Sequence, residues 1–350
     1  MADQPPGLDL DRIRRHLDAV DPDLLAGPLS AELISGGKSN LTYRLTDGSR
    51  RLVLRRPPLG HVLATAHDMG REYQVMSALA GTPVPVPRTR LLCRDEEVVG
   101  ATFYLMDEVE GRVYRDAADT ADLGPERAQA ISRRLIDVLA ELHAVDPASV
   151  GLEKFGRPEG YLERQVARWH RQFESSRSRE IPGVEELQRR LTEGVPVSQR
   201  ATIVHGDYRL DNTVVGADDE IAAVLDWEMA TLGDPLADLG LMKIYWEMGE
   251  QQPENPVAHG VSPRAGFPPM AEIETRYAER TGLDLTPMPW YTAFARYKLA
   301  VIAEGIYYRY LQGKTVGDGF EQMGRIVPGL IAAALETLLG NAPDSQSTGD

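Results

Sequence analysis

Residues 204–228 read VHGDYRLDNTVVGADDEIAAVLDWE. The short β-branched run 202–204 leads into a tight turn, His205-Gly206-Asp207, and Asn212 then opens a strand, Thr213-Val214-Val215. Gly216-Ala217-Asp218-Asp219 supplies the turn of a hairpin, and residues 221–225 return as a second strand ending at Asp226. Such a hairpin brings Asn212 and Asp226, at the base of its two strands, close enough for a divalent cation to bridge them. Asp207 stands nineteen residues before Asp226. Phosphoryl transfer from a magnesium nucleotide requires this set: one carboxylate to orient or deprotonate an acceptor hydroxyl, and an amide with a second carboxylate to hold the metal. The plainer alternative is a polar surface hairpin whose Asp and Asn residues serve only the turns.

The spacing H-x-D-x-x-x-x-N followed by that aspartate resembles the catalytic and metal-binding segments of the protein-kinase-like fold. In particular it resembles the aminoglycoside phosphotransferase (APH) family, where H-G-D stands in place of the protein-kinase H-R-D. The resemblance covers roughly residues 30–310 and implies an α+β, two-lobed protein-kinase-like fold. A small antiparallel-sheet N-lobe spans residues 1–110, a mainly helical C-lobe spans 111–340, and 341–350 form a disordered tail. ATP would bind between the lobes, with GTP open as the alternative nucleotide, together with Mg²⁺. Asp207 would be the base, with His205 fixing its loop, and Asn212 and Asp226 would hold the metal.

The N-terminal part supplies what a nucleotide site needs. Ser35-Gly36-Gly37-Lys38-Ser39-Asn40 lies between two strands, and its glycines let the backbone approach phosphate oxygens; an ordinary Gly-rich hairpin turn reads the same way. Gly36, Gly37, Ser39 and Asn40 are therefore candidate phosphate contacts. In Leu52-Val53-Leu54-Arg55, strand alternation sets Val53 and Arg55 on one face and Leu54 and Arg56 on the other. Arg55 holds the place where the resemblance expects a phosphate-binding lysine, and a bidentate guanidinium serves that purpose with different geometry. Glu72, on a helix expected over residues 67–80, is its natural partner. Residues 98–109 read as one strand, and within it Phe103-Tyr104-Leu105-Met106-Asp107-Glu108-Val109 resembles the family's hinge: Met106 would line the adenine pocket, and Asp107 and Val109 would offer main-chain groups to the base.

Downstream, Gly233-Asp234-Pro235-Leu236-Ala237-Asp238-Leu239-Gly240 matches the family's G-D-P-x-x-D-L segment. Asp234 before Pro235 suits a helix start, and both aspartates read as support for the catalytic and metal loops. Asp226 is followed by Trp227-Glu228, a form typical of small-molecule kinases, and the chain has no A-P-E segment. The expected acceptor is thus a small molecule, not a protein. Two segments, residues 156–170 and 291–313, resemble the APH-like domains that occur alone or fused to acyl-CoA dehydrogenases. They imply a hydroxyacyl-CoA or hydroxy acid as acceptor, with aminoglycoside, choline or homoserine kinases and a nucleotide-binding pseudokinase as alternatives. Arg164, Arg168 and Arg171 form a basic stripe at helical spacing, suited to the phosphates of a CoA thioester or to pairing with Glu163 and Glu174.

Composition bounds the rest. A formal charge of −15 speaks against nucleic acid and against an anionic membrane surface. The single cysteine, Cys93, rules out an intramolecular disulfide and reads as a buried bystander. No apolar run has the length of a membrane span and residues 1–18 show no signal-peptide core, so a cytoplasmic location is expected. Oligomeric state is not legible.

Overall fold

A computed structural model describes residues 5–36, 40–59, 68–251, 265–315 and 319–340. Gly37 and Ser39 of the glycine-rich turn, and the tail from residue 341, lie outside the described residues. The chain folds as two compact units. The first takes the chain up to Tyr114 together with Ala148–Leu152 and Asp211–Ala230; the second takes the remainder. The fold is α+β, with one larger antiparallel sheet in the first unit and a mainly helical second unit.

The first unit is built on β1 (Ser30–Gly36), β2 (Leu41–Thr46), β3 (Arg51–Arg56), β4 (Thr89–Cys93) and β5 (Phe103–Asp107). They are ordered β1-β2-β3-β5-β4, each pair antiparallel. Alternation sorts the faces. Leu52, Leu54, Phe103 and Leu105 pack with Ile13 and Leu17 of the helix Leu10–Val20, in a core that also buries Cys93. The opposite face carries Val53, Arg55 and Tyr104, and the register pairs Arg55 with Tyr104. Toward that face the helix Met69–Leu79 turns Glu72, capped at its start by the Asp68 carboxylate, which accepts from the Arg71 N–H at 3.1 Å.

Residues 98–109 do not run as one strand. Asp95 accepts from the Glu97 N–H at 3.0 Å and caps a short helix, Glu96–Val99, which Gly100 ends in the left-handed conformation before β5 begins. The hairpin of β7 (Thr213–Val215) and β8 (Ile221–Val224), numbered after β6 (Thr202–Val204), belongs to the first unit through its backbone. Val215 exchanges two hydrogen bonds with Arg112, at 2.8 and 2.9 Å, and the Val224 N–H donates to Pro85 O at 2.8 Å.

In the second unit, β6 pairs with β9 (Thr231–Gly233), and the helices gather around Met288–Leu311. Trp290, Tyr291, Phe294, Tyr297, Leu299 and Val301 are all buried along that helix, whose apolar residues are not confined to one face. Tyr297 and Glu304, within the segment 291–313, lie in this core: Tyr297 accepts from Gln188 Nε2 at 2.8 Å and Glu304 pairs with Arg179 at 3.1 Å. The basic stripe lies on the exposed side of the helix Tyr161–Ser176, opposite buried Val166, Trp169 and Phe173. Among the described residues, no helix is long and apolar enough to cross a membrane.

Candidate active site

In the first unit the Arg55 guanidinium lies between two carboxylates. Its Nε is 3.1 Å from Glu72 Oε2, and its Nη2 donates to Asp226 Oδ1. Glu72 is wholly buried and also accepts from Tyr104 Oη at 2.9 Å and Asn40 Nδ2 at 3.1 Å. The same Asn40 amide donates to Glu228 at 3.0 Å, while Asn40 Oδ1 is buried without a hydrogen-bond partner. Burial is the main influence on Glu72 and raises its carboxyl above the usual range, against the pull of Arg55. Burial works against the charge on Arg55, but Glu72, Tyr104 and Asp226 outweigh it, so the guanidinium is held even more firmly protonated.

The turn after β8 aims these groups. Asp226 adopts φ = 64°, a left-handed conformation uncommon for a residue with a side chain, and starts the 3₁₀ turn Trp227–Met229. Trp227 is buried and anchors that turn by donating from Nε1 to Val224 O at 3.0 Å. At the hairpin base the Leu225 N–H donates to Asn212 O at 2.8 Å, which closes the two strands next to Asp226. Glu72, Asp226 and Glu228 each offer a carboxylate oxygen within 4.8 Å of the others. Hard oxygen donors of this kind suit Mg²⁺, and the orphaned Asn40 oxygen beside them adds a neutral one. The donor set fits the metal implied by the sequence.

In the second unit, β6 delivers His205, Gly206 and Asp207 into a turn in which Gly206 has φ = +86°, open to glycine at little cost. Asp238, buried on the helix Leu236–Gln251, clamps it: its carboxylate accepts from the N–H groups of His205 and Gly206, both at 2.7 Å. His143 Nε2 lies 3.3 Å from the same carboxylate, and its Nδ1 is 2.6 Å from Tyr277 Oη. Burial alone would raise the Asp238 carboxyl, but the hydrogen bond and charge of His143 and the charge of His205 outweigh it and hold it below the usual range. The His205 ring turns inward, with Nδ1 accepting from the Asp207 N–H at 3.2 Å. Asp234 accepts from the Leu236 N–H at 2.9 Å, the cap its place before Pro235 suggests.

The remaining expected contacts fall as follows. Gly36 ends β1, whereas the Asn40 side chain is drawn into the carboxylate cluster. Met106 is buried in β5; the Asp107 N–H is committed to Arg88 O at 2.9 Å and its carboxylate to Arg90 at 2.7 Å. Val109 follows β5 and is half-buried. Arg56, on the other face from Arg55, donates to Gly7 O at 2.5 Å and Val99 O at 2.6 Å. Sequence reasoning passed over Tyr104, Glu228 and Lys298, whose Nζ donates to Gly206 O at 3.0 Å. Only Lys298 leaves a visible signal, as a lysine among the apolar residues of the central helix.

A model of the phosphotransferase enzyme family (APH) matches residues 30–273. Acyl-CoA dehydrogenase family member 11 of Rattus norvegicus is 36% identical over 310 residues, covering 87% of this chain but only 40% of that protein. The chain thus spans less than half the length of this relative. A crystal structure from Ralstonia eutropha, of a protein provisionally described as an aminoglycoside phosphotransferase, superposes with a TM-score of 0.81. It is 32% identical and covers 96% of this chain and 99% of the other. A ternary complex of aminoglycoside phosphotransferase APH(4)-Ia with AMP-PNP and hygromycin B shares the fold at a TM-score of 0.61 and 14% identity, over 93% and 98% of the two chains.

Proposed function

The chain belongs to the phosphotransferase enzyme family (APH), and on that premise we propose that it moves the γ-phosphoryl group of ATP to a hydroxyl of a small molecule. The observation that carries this reading is the anchored Arg55: a cation fixed by Glu72 and Asp226 at 3.1 Å and closer, on the face of the sheet where the phosphates of a nucleotide would be met. Arg55, with the glycine-rich segment Gly36, Gly37, Ser39 and Asn40, would contact the phosphates. Met106, the Asp107 main chain and Val109 would receive the adenine. Asn212 and Asp226 would hold Mg²⁺, with Glu72 and Glu228 within reach of the same position. When bound, the ion neutralises charge on the phosphate oxygens.

Asp207 orients the acceptor hydroxyl. The acceptor oxygen bonds to the γ-phosphorus as the bond to ADP breaks, and the proton passes to the Asp207 carboxylate. His205 and Asp238 keep the loop in the conformation that presents Asp207, through the N–H groups they engage. The similarity to acyl-CoA dehydrogenase family member 11 supports a hydroxyacyl-CoA or hydroxy acid as acceptor, with aminoglycosides, choline and homoserine as competitors.

The test is ADP release across those four acceptor classes, with Asp207→Asn in parallel. Turnover of the best acceptor is expected to fall by ~10²–10⁴-fold in that variant while calorimetric ATP affinity stays near wild type. Full activity in Asp207→Asn removes Asp207 from its role, and magnesium-dependent ATP binding without turnover on any class points to a binding module instead.

A further inference from the structure

In an acidic chain, the catalytic-loop carboxylate is surrounded by cations. Arg209 Nε lies 3.5 Å from Asp207 Oδ2, with its guanidinium 4.7 Å from the Tyr245 ring centroid. Lys298 reaches the same loop from the central helix, donating to Gly206 O, and its Nζ is 5.5 Å from the Trp169 centroid. Arg168, the middle member of the basic stripe, lies 5.8 Å from that same ring, and the Lys298 ammonium feels its charge. Two cations thus share Trp169. The nearby Asp238 carboxylate already serves two backbone N–H groups and His143, and it offsets the burial of Lys298 only in part.

Lys298 is poorly placed for a purely structural lysine. One carbonyl engages one of the three donors of an ammonium. Burial, its largest influence, lowers its pKa and Arg168 adds to that, while Asp207 and Asp238 oppose them. A cation held in desolvated surroundings beside a second cation is stabilised by an incoming negative charge, and it repels a positive one.

We infer that Lys298 and Arg168 select the acceptor: a hydroxyl compound carrying an oxyanion, carboxylate or phosphate, rather than a cationic amine. This rests on Asp207 addressing the acceptor hydroxyl. It narrows the acceptor classes above by charge, and it places the discrimination on two residues outside the H-x-D-x-x-x-x-N segment.

The experiment measures kcat and KM for 3-hydroxybutyrate, its methyl ester, glycerol 3-phosphate, choline and kanamycin. Wild type, Lys298→Met, Lys298→Arg, Arg168→Ala and Asp207→Asn are compared. At least one of the two anionic probes is expected to exceed the ester, choline and kanamycin in kcat/KM by about tenfold or more, a modest charge-selective margin. The better of the two anions tells carboxylate from phosphate. Lys298→Met and Arg168→Ala should raise KM for that anion by about tenfold with kcat little changed, and Lys298→Arg should restore it. Arg168 is exposed, so its variant reads the effect even where Lys298→Met fails to fold. Equal or better use of the ester, choline or kanamycin overturns the inference, as does an unchanged KM in both variants or turnover of none of the five. Undiminished turnover in Asp207→Asn instead overturns the underlying assignment of the base, which separates the two failures.

Discussion

The two charged centres of this chain are built in opposite ways. In the first unit, side chains hold side chains: Arg55, Glu72, Asp226, Asn40 and Glu228 meet from segments as much as 188 residues apart. In the second, one carboxylate holds backbone: Asp238 accepts from two consecutive N–H groups of the turn that carries Asp207. The two carboxylates compared also differ in exposure, with the Asp226 side chain 27% exposed and Asp238 only 1%. A partly exposed carboxylate paired with a guanidinium can exchange that partner for another cation. A buried carboxylate satisfied by main-chain donors cannot do so without unfolding the turn. The first centre is built to trade ligands and the second to stay fixed.

The comparison can be broken most forcefully at Asp238. Asp238→Ala leaves the N–H groups of His205 and Gly206 without their acceptor and should cost on the order of 3 kcal/mol or more in urea unfolding. A loss below about 1 kcal/mol, the net value of a single ordinary hydrogen bond, would show that the turn does not depend on the clamp. Arg55→Met leaves buried Glu72 without its cation, for an expected loss of about 2–3 kcal/mol, at or below the low end for breaking a buried pair because Asp226 is partly exposed. If the first centre trades cations, Mg²⁺ should raise the melting temperature of this variant more than that of wild type. An equal response to Mg²⁺ in both proteins sinks the exchange idea.

Smaller effects sharpen the contrast. Asn40→Ala removes the amide shared by Glu72 and Glu228 and should cost about 1–2 kcal/mol, with a weakened response to Mg²⁺ as its signature. The last is a slope with pH. The Asp238 carboxyl is held below its ordinary value, burial notwithstanding, chiefly by His143. Its stabilising contribution is therefore complete above the unfolded-chain value of about 3.9 and is lost as pH falls through the lower folded value. Glu72, raised by burial, acts with the opposite sign: its contribution is present below the unfolded value of about 4.3 and is lost as pH rises through the folded one. Asp238→Asn should flatten the acid limb of a plot of stability against pH, and Glu72→Gln the fall in stability as pH rises beyond it. Identical curves for the two variants would remove the distinction between the centres.

Much of the first centre was legible because its geometry is local or periodic. Strand alternation put Arg55 on one face and Arg56 on the other, and the structure sends Arg56 to Gly7 and Val99 and Arg55 to Glu72. The hairpin turn joined the strands that bring Asn212 and Asp226 to one end. Residues 98–109 depart from the single extended run that composition suggests, because two local signals, Asp95 as a cap and Gly100 as a stop, interrupt it.

By itself, then, the amino-acid sequence determined the hairpin before Asp226, the faces of β3 and the turn that presents Asp207, since each depends on neighbours a few residues away. Only the tertiary structure decided that Asn40 is shared by Glu72 and Glu228, that Tyr104 donates to Glu72, and that Lys298 from a helix 92 residues on donates to the carbonyl of Gly206. Those contacts join groups with no local spacing to announce them. They exist because burying a polar group is costly unless it finds a partner, and packing determines which partner is within reach.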